Sequence, residues 1–319
     1  MTATADRKVR NNREAGARAG GPVDSTDAAG LGRARAAGLV APALVLVLAF
    51  LVVPAAWTVY LGVTDYRLTG IQAANPEFVG LDNFTAALAD PDFRNSLWLT
   101  LLFVLGSAII GQTVAGFALA WTLRTVPKLV RSVVETLVLL AWILPSSIVA
   151  FLWVAYLSGD GGTLNALLQT SGTEWLLEHP MASIIVFNTW RGTAFSMLLY
   201  SAALTGVPPS QLATARMFGA NSWQQLRDVV FPHIRGHILT NLLLISLWTF
   251  NDFTPYQITA GGPNDKSEIL PVYIYQTALF DGQMGLGAAI SLLMLVINLV
   301  VALVYLRLLR ERRLERVAA

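Results

Sequence analysis

Residues 282–306 read GQMGLGAAISLLMLVINLVVALVYL, 25 consecutive positions without a charge. A helix needs about 20 mainly apolar residues to cross ~30 Å of hydrocarbon, so this stretch is long enough to span a bilayer. Three more charge-free windows lie upstream: 36–64 (29 residues), 95–123 (29) and 136–159 (24). Two further apolar stretches are each interrupted by one charge, 181–207 around Arg191 and 237–259 around Asp252. The reading is an all-α integral membrane protein of six transmembrane helices, with spans at about 38–63, 96–123, 136–158, 181–206, 237–259 and 284–306. These make one membrane domain over 36–306.

Composition agrees. Of 319 residues, 55% are hydrophobic and 13% charged, about half the charged share of soluble domains. Mean hydropathy is +0.56. This excludes a soluble enzyme, a disordered protein and a nucleic-acid-binding module. The isoelectric point near 9.0 accompanies a net charge of only +2, so no nucleic-acid partner is expected. The absence of cysteine excludes disulfides, thiol catalysis and Cys-ligated metals.

Basic residues fix the expected orientation. With the amino terminus in the cytoplasm, the inside segments 1–35, 124–135, 208–236 and 307–319 hold 18 of the 22 Lys and Arg residues. The outside segments hold only Arg67, Arg94 and Lys266. Both termini are therefore expected to be cytoplasmic, with 1–35 a disordered tail that is solvated and sets topology, or touches lipid headgroups through Arg7, Lys8, Arg10 and Arg13, and 307–319 a basic tail.

Two loops carry more than connection. Outside, Asp82 can cap a short helix on which Phe84, Ala87 and Leu88 share a face, for loop packing or for docking. Inside, Pro208 and Pro209 stop the preceding span, Ser210 can cap a new helix, and Gly219 suits a left-handed stop. A second segment then ends at Phe231-Pro232. Such an element within 208–236 either docks a partner or folds onto its own bundle.

Arg191 and Asp252 are costly in lipid and should face protein or water. They can form a structural ion pair between two spans, or belong to a binding site. Asn188, Arg191, Gly192 and Phe195 fall at i, i+3, i+4 and i+7, one stripe of one helix. That stripe combines a hydrogen-bonding amide, a charge, a gap and an aromatic ring. Asn188 and Asp252 suit sugar hydroxyls, and Trp190, Phe195 or Trp248 suit the apolar face of a sugar ring. Gln112, Asn298 and Pro145-Ser146-Ser147 read as interhelical hydrogen bonds and a proline kink. Glu135 reads as interfacial. His233 and His237, four apart without a third ligand, do not predict a metal site.

The inside loop resembles the Glu-Ala-Ala coupling loop of permease subunits of binding-protein-dependent ABC importers, in particular the carbohydrate-uptake group typified by maltose-type permeases. The matching positions are Ala213-Thr214-Ala215, Gly219 and Phe231-Pro232. Ala213 stands where the family has its glutamate, and Phe218 where an acidic residue is common. Asn188-Thr189-Trp190-Arg191-Gly192-Thr193-Ala194-Phe195 resembles the fourth-span signature, with Ala194 in place of proline. Trp248-Thr249-Phe250-Asn251-Asp252-Phe253, Thr259-Ala260-Gly261-Gly262-Pro263 and Tyr273-Ile274-Tyr275 resemble the fifth span and the loop after it. Phe78 to Phe84 with Asp90-Pro91-Asp92-Phe93 resembles the first outside loop.

The resemblance implies the MetI-like permease fold in the bacterial inner membrane, and partners: a second homologous permease, a cytoplasmic ABC ATPase dimer and an external substrate-binding protein. It implies that Ala213, Thr214, Ala215, Arg216, Gly219 and Pro232 couple to the ATPase. It also implies a substrate-lining role for Asn188, Arg191, Gly192, Phe195, Trp248, Thr249, Asn251 and Asp252. A glutamate lost at Ala213 implies that the partner permease carries more of the coupling. No cofactor is expected on this chain, which is not an enzyme: none of Lys8, Lys128 and Lys266 follows a glycine as a P-loop requires, so ATP-Mg belongs to the partner ATPase. The expected function is transmembrane uptake of a neutral sugar, with a glycerol-phosphate ester as a variant. The alternative is a secondary transporter using Arg191 and Asp252 as an ion or proton relay.

Overall fold

The computed structural model describes residues 33–318 apart from 160 and 171, with side chains for 37–309. Most of the expected amino-terminal tail, and the side chains of the basic carboxyl tail from 310 onward, lie outside the described residues. The chain divides into one unit ending at Trp57 and a second beginning at Thr58.

Eight principal helices organise the described residues: α1 (Ala37–Gly62), α2 (Pro91–Thr122), α3 (Lys128–Ile143), α4 (Ser146–Leu157), α5 (Pro180–Thr205), α6 (Pro209–Met217), α7 (Ser222–Phe250) and α8 (Met284–Leu309). Helices α1, α2, α7 and α8 are long and apolar enough to cross a membrane, and the α3–α4 pair brings the number to as many as five. Of the six expected spans, α5 is the one that falls outside this set. Its 26 residues cover about 39 Å, long enough, but the polar run 188–193 lowers its hydropathy. Burial explains why that run is tolerated. Asn188 and Thr193 of that run are buried together with Ile184, Phe187, Ala194, Met197 and Tyr200, while Trp190 is exposed, so α5 packs inside the bundle and keeps the two ends of its polar run within protein.

Three other expectations change. The window 136–158 is not one rod: α3 and α4 meet at 104° across Leu144-Pro145, because proline lacks the N–H and disfavours a helical residue before it. The fifth span is shifted, starting at Ser222 and stopping at Phe250. Residues 208–236 are therefore not loop throughout, and Phe231-Pro232 does not end a segment. Pro232 sits inside α7 directly after a wider, π-type stretch, Leu226–Val230, and Pro54 follows an identical arrangement at Leu48–Val52 in α1. A widened turn lets the helix continue past a residue that cannot donate.

Small residues set the distance between α2 and α5. A Cβ on Gly111 would collide with Thr189, and one on Gly116 with Ser196 and, at 2.9 Å, the Met197 backbone nitrogen. Asn241 then ties α7 to α5, its Nδ2 donating to Ser196 Oγ (3.2 Å) and to the Tyr200 hydroxyl (3.1 Å).

At the opposite end of the bundle from α6, Asn83 Nδ2 donates to the carbonyls of Gly62 (3.0 Å) and Thr64 (2.8 Å), closing α1. The short helix Asp82–Ala89 is present, but Asp82 lies in its first turn and Leu81 is the uncapped residue before it. Asp90 caps the next helix, accepting from the Asp92 backbone N–H at 2.9 Å, while the Tyr273 hydroxyl donates to its other oxygen at 2.6 Å.

The same end buries a carboxyl group. Glu268 is 3% exposed, and the only hydrogen bond to its carboxyl group among the described residues is a long one from Ser96 Oγ, 3.5 Å. Burial, then the nearby charges of Asp265, Asp92 and Asp281, push its pKa up to about 7, with the Ser96 bond acting the other way. A folded-state value raised above the ordinary 4.5 means that the native state holds the proton more tightly, so Glu268 costs stability progressively as pH rises from about 4.5 through 7. Glu268→Gln should therefore melt close to the parent at pH 5 and above it at pH 8.5. A melting difference that does not change with pH would contradict this.

Candidate functional site

The polar stripe on α5 opens onto a half-open pocket of about 70 Å³ where α2, α3, α5 and α7 converge. From α5 it receives Asn188, Arg191, Gly192 and Phe195; from α7 and its end, Trp248, Thr249 and Asp252. Seven of the eight substrate-lining residues expected from sequence thus line one space. The exception is Asn251, which is exposed and turned away. Its Nδ2 donates to the Leu247 carbonyl at 2.7 Å, and it exchanges amide hydrogen bonds of 3.3 Å with Asn298 on α8. Trp190 is also outside the cavity, its ring 5.5 Å from that of Trp153 on α4.

Helix packing fixes the stripe. Asn188 Nδ2 donates to Ser107 Oγ (2.8 Å) and to Thr249 Oγ1 (3.3 Å), and Gln112 Nε2 donates to the Asn188 carbonyl at 3.1 Å. A Cβ on Gly192 would collide with the Gln112 amide, so the glycine keeps that amide at the cavity wall. Ser107 and Gln112 belong to a wider, π-type stretch of α2, Val104–Gln112, a geometry that often accompanies functional sites.

Arg191 and Asp252 do not form the ion pair that their isolation in the sequence suggested. Thr254 stands between them. Its hydroxyl donates to Asp252 Oδ1 at 2.6 Å and accepts from an Arg191 terminal nitrogen at 3.3 Å, while the other terminal nitrogen donates to Ser146 Oγ at 2.7 Å. Asp252 Oδ1 also accepts from the Thr254 backbone N–H at 2.9 Å, and this Asx turn ends α7 at Phe250. Among the described residues, Arg191 Nε is buried with no hydrogen-bond partner. The sequence offers Ser146 only as part of a proline kink; the structure makes it a partner of Arg191.

Sequence reading assigned two lining residues differently. Gln112 reads from sequence as an interhelical bond, which it also makes, and Trp142 on α3 carries no sequence signal of its own. Trp142, Phe195 and Trp248 form a triangle of rings, with centroids 6.0, 5.7 and 5.8 Å apart. Helical periodicity gave no signal for this, because the three rings come from three helices. Donors, acceptors and flat apolar faces together suit a ligand bearing hydroxyls on a carbon ring.

A second candidate region is α6. Pro209 is its first residue and Pro208 the one before it, so Ser210 lies inside the first turn and caps nothing. Gly219 has φ +80°, as expected of a left-handed stop, and the Ala220 N–H returns to the Ala215 carbonyl at 3.0 Å. Asn221 and Gln224 cap α7 reciprocally at 2.9 and 2.8 Å, a box readable as Asn-x-x-Gln. Gln225 staples the turn, donating to the Ala220 carbonyl (2.9 Å) and accepting from Arg216 Nε (3.2 Å). Thr214, Ala215 and Pro232 line an open groove of about 810 Å³ between α6 and α7, along with His233 and His237, whereas Ala213 is exposed and Arg216 faces the Gln225 side. The tip presents Met217, Phe218 and Trp223 at 80%, 87% and 64% exposure. Three large exposed apolar side chains on one hairpin mark an interaction surface.

The sequence profile of the binding-protein-dependent transport system inner membrane component matches residues 112–314. Similar proteins include the sulfoquinovosyl glycerol transport system permease SmoG of Agrobacterium fabrum, 28% identical over 86% of this chain and 90% of that one. The inner membrane ABC transporter permease YcjO of Escherichia coli is 31% identical over 71% of this chain and 78% of its own length. The probable starch degradation products permease AmyD of Thermoanaerobacterium thermosulfurigenes is 28% identical over 86% and 94%. In fold, a chain of a bacterial ABC transporter that imports the acidic polysaccharide alginate superposes with a TM-score of 0.70 at 22% identity, covering 86% of this chain and 94% of the other.

Proposed function

We propose that this chain, which belongs to the family of binding-protein-dependent transport system inner membrane components, is the sugar-conducting permease subunit of an ATP-driven importer. The observation that carries the reading is the cavity on α5, where amide, carboxylate and guanidinium groups meet three aromatic rings. The sugar-transport names of SmoG and AmyD support a carbohydrate substrate. In this reading all six spans, α5 included, cross the bacterial inner membrane, and both termini and α6 lie in the cytoplasm. The apolar tip of α6 inserts into an ABC ATPase that binds ATP-Mg, a second permease completes the pathway, and an external binding protein delivers the sugar. Nucleotide-driven movement of α6 reaches the cavity through α7, whose first turn is stapled to α6 by Gln225.

The test is uptake by the reconstituted complex in proteoliposomes. Transport should require ATP and vanish when the partner ATPase is inactivated by mutation. Uptake that persists and follows the proton gradient would instead make the Asp252–Thr254–Arg191 chain a relay.

Asp252→Asn separates site from scaffold. Asparagine forms the same Asx turn, so the amount of inserted protein should stay constant. A charged hydrogen bond to a hydroxyl contributes about 1.5–3 kcal/mol, so uptake should fall tenfold or more. Unchanged transport would remove Asp252 from the site.

A further inference from the structure

The end of the bundle that carries α6 holds a second pocket, far from the polar stripe. It is half open, about 260 Å³, and forms where the last turns of α2 and α5 meet the first turn of α3. Arg124, two residues beyond α2, and Arg131 of α3 line it together with Ser201 and Thr205 of α5 and the apolar Ala120 and Leu204. Drug-sized ligands occupy ~300–1,000 Å³, so this space takes one compact group and leaves the rest of a larger ligand outside.

The charge in the pocket is one-sided. Arg131 Nε donates to Glu135 Oε1 at 2.8 Å, one turn along α3, which steadies the side chain and leaves its two terminal nitrogens without a partner among the described residues. The Arg124 guanidinium lies over the Trp121 ring, 4.9 Å from its centroid, and pairs with no carboxylate among the described residues. Thr205 returns its hydroxyl proton to the Ala202 carbonyl at 2.7 Å. Helical serines commonly do the same, yet the Ser201 hydroxyl makes no hydrogen bond among the described residues. Two guanidinium groups and a free hydroxyl set against one carboxylate suit an anion with several oxygens, and guanidinium geometry matches a phosphate in particular.

The position of the pocket selects which phosphate. The apolar span of α2 ends at Thr122, just before Arg124, and the first turns of α3 expose Leu129, Val133 and Leu137 at 77%, 49% and 62%. Arg131 therefore lies among side chains that suit hydrocarbon, and Arg124 at the end of a span, which is headgroup depth in a bilayer. A basic pocket between helices at that depth faces lipid phosphates, with the apolar Ala120 and Leu204 beside it.

We propose that this pocket binds the phosphate of an anionic phospholipid from the leaflet at the α6 end of the bundle. Arg124 and Arg131 donate to the phosphate oxygens, the Ser201 hydroxyl adds a third donor, and the acyl chains stay in the bilayer. The site is independent of the sugar reading and of which leaflet is cytoplasmic.

The experiment uses the complete importer in detergent, with retained lipid counted by native mass spectrometry as phosphatidylglycerol or phosphatidylcholine is added. The parent should retain a phosphatidylglycerol that phosphatidylcholine does not displace. Arg124→Gln and Arg131→Gln should each weaken that retention about fivefold, the worth of one basic residue at an anionic surface, and Arg124→Lys should keep most of it. Ser201→Ala, which alters no charge, should weaken it about threefold, and it reads the site even where a glutamine variant inserts poorly. Arg227→Gln is the control: its side chain is 75% exposed beside Asp228, outside the pocket, and the change should have no effect. Equal retention in the parent, the glutamine variants and Ser201→Ala overturns the proposal, as does equal retention of phosphatidylcholine by the parent. Displacement of the lipid by inorganic phosphate at a similar concentration would make this a soluble-anion site and overturn the lipid assignment. None of these readouts requires sugar uptake, so failure of the sugar reading leaves the result intact.

Discussion

Gly116→Val should prevent the bundle from assembling. The added Cβ alone would collide with Ser196 Cβ and approach the Met197 backbone nitrogen and the Ser196 carbonyl carbon to 2.9 Å. Two of these three atoms are backbone on the central helix, so no rotamer change relieves the contact and α2 must move away from α5. Overpacking typically costs 1–3 kcal/mol, and a backbone obstacle belongs at or above the upper end. About 3 kcal/mol changes the folded-to-unfolded ratio by more than a hundredfold, and a typical protein has few such increments to lose. The measurement is the amount of protease-resistant, membrane-inserted protein and its melting temperature in detergent. Gly236→Val on α7 is the control, since nothing lies within 4 Å of a Cβ there. If the two variants behave alike, α2 and α5 do not meet as described.

Gly219→Val should separate transport from ATP hydrolysis without unfolding the chain. No atom lies within 4 Å of a Cβ at Gly219, so the effect is purely one of backbone conformation. At φ +80° a β-branched residue is strained by about 1–2 kcal/mol or more, and α6 relieves this by unwinding its last turn. The last turn carries Met217 and Phe218, and its unwinding moves them relative to Trp223. Uptake should drop at least tenfold while the ATPase still turns over and inserted protein stays at the parent amount. Gly219→Asn should retain part of the transport, because asparagine tolerates the left-handed region. Normal uptake in the valine variant would deny the tip a coupling role.

Much of this site could be read directly. Asn188, Arg191, Gly192 and Phe195 share a face at helical spacing, and the structure puts all four on one cavity wall. The prolines before α6 and the glycine after it delimit a short helix that is present. Local rules served less well where two signals competed. Ser210 is a fair cap in isolation, but Pro208 and Pro209 had already started the helix. Phe231-Pro232 reads as a stop, yet the preceding widened turn absorbs the proline. Gly106 and Gly111, five apart, do not align on a regular helix; the wider turns of Val104–Gln112 bring both towards α5.

By itself the sequence determined the apolar helices, the position of α6 and the polar stripe, because these depend on hydropathy and on periodicity within one segment. Only the tertiary structure decided that Trp142 and Gln112 join the site, that Asn251 turns to Asn298, and that Thr254 separates Arg191 from Asp252. Those outcomes depend on which helices meet, at what distance and at what angle. The glycine contacts and the break at Pro145 set that geometry, and a pattern confined to one helix carries no information about its neighbour.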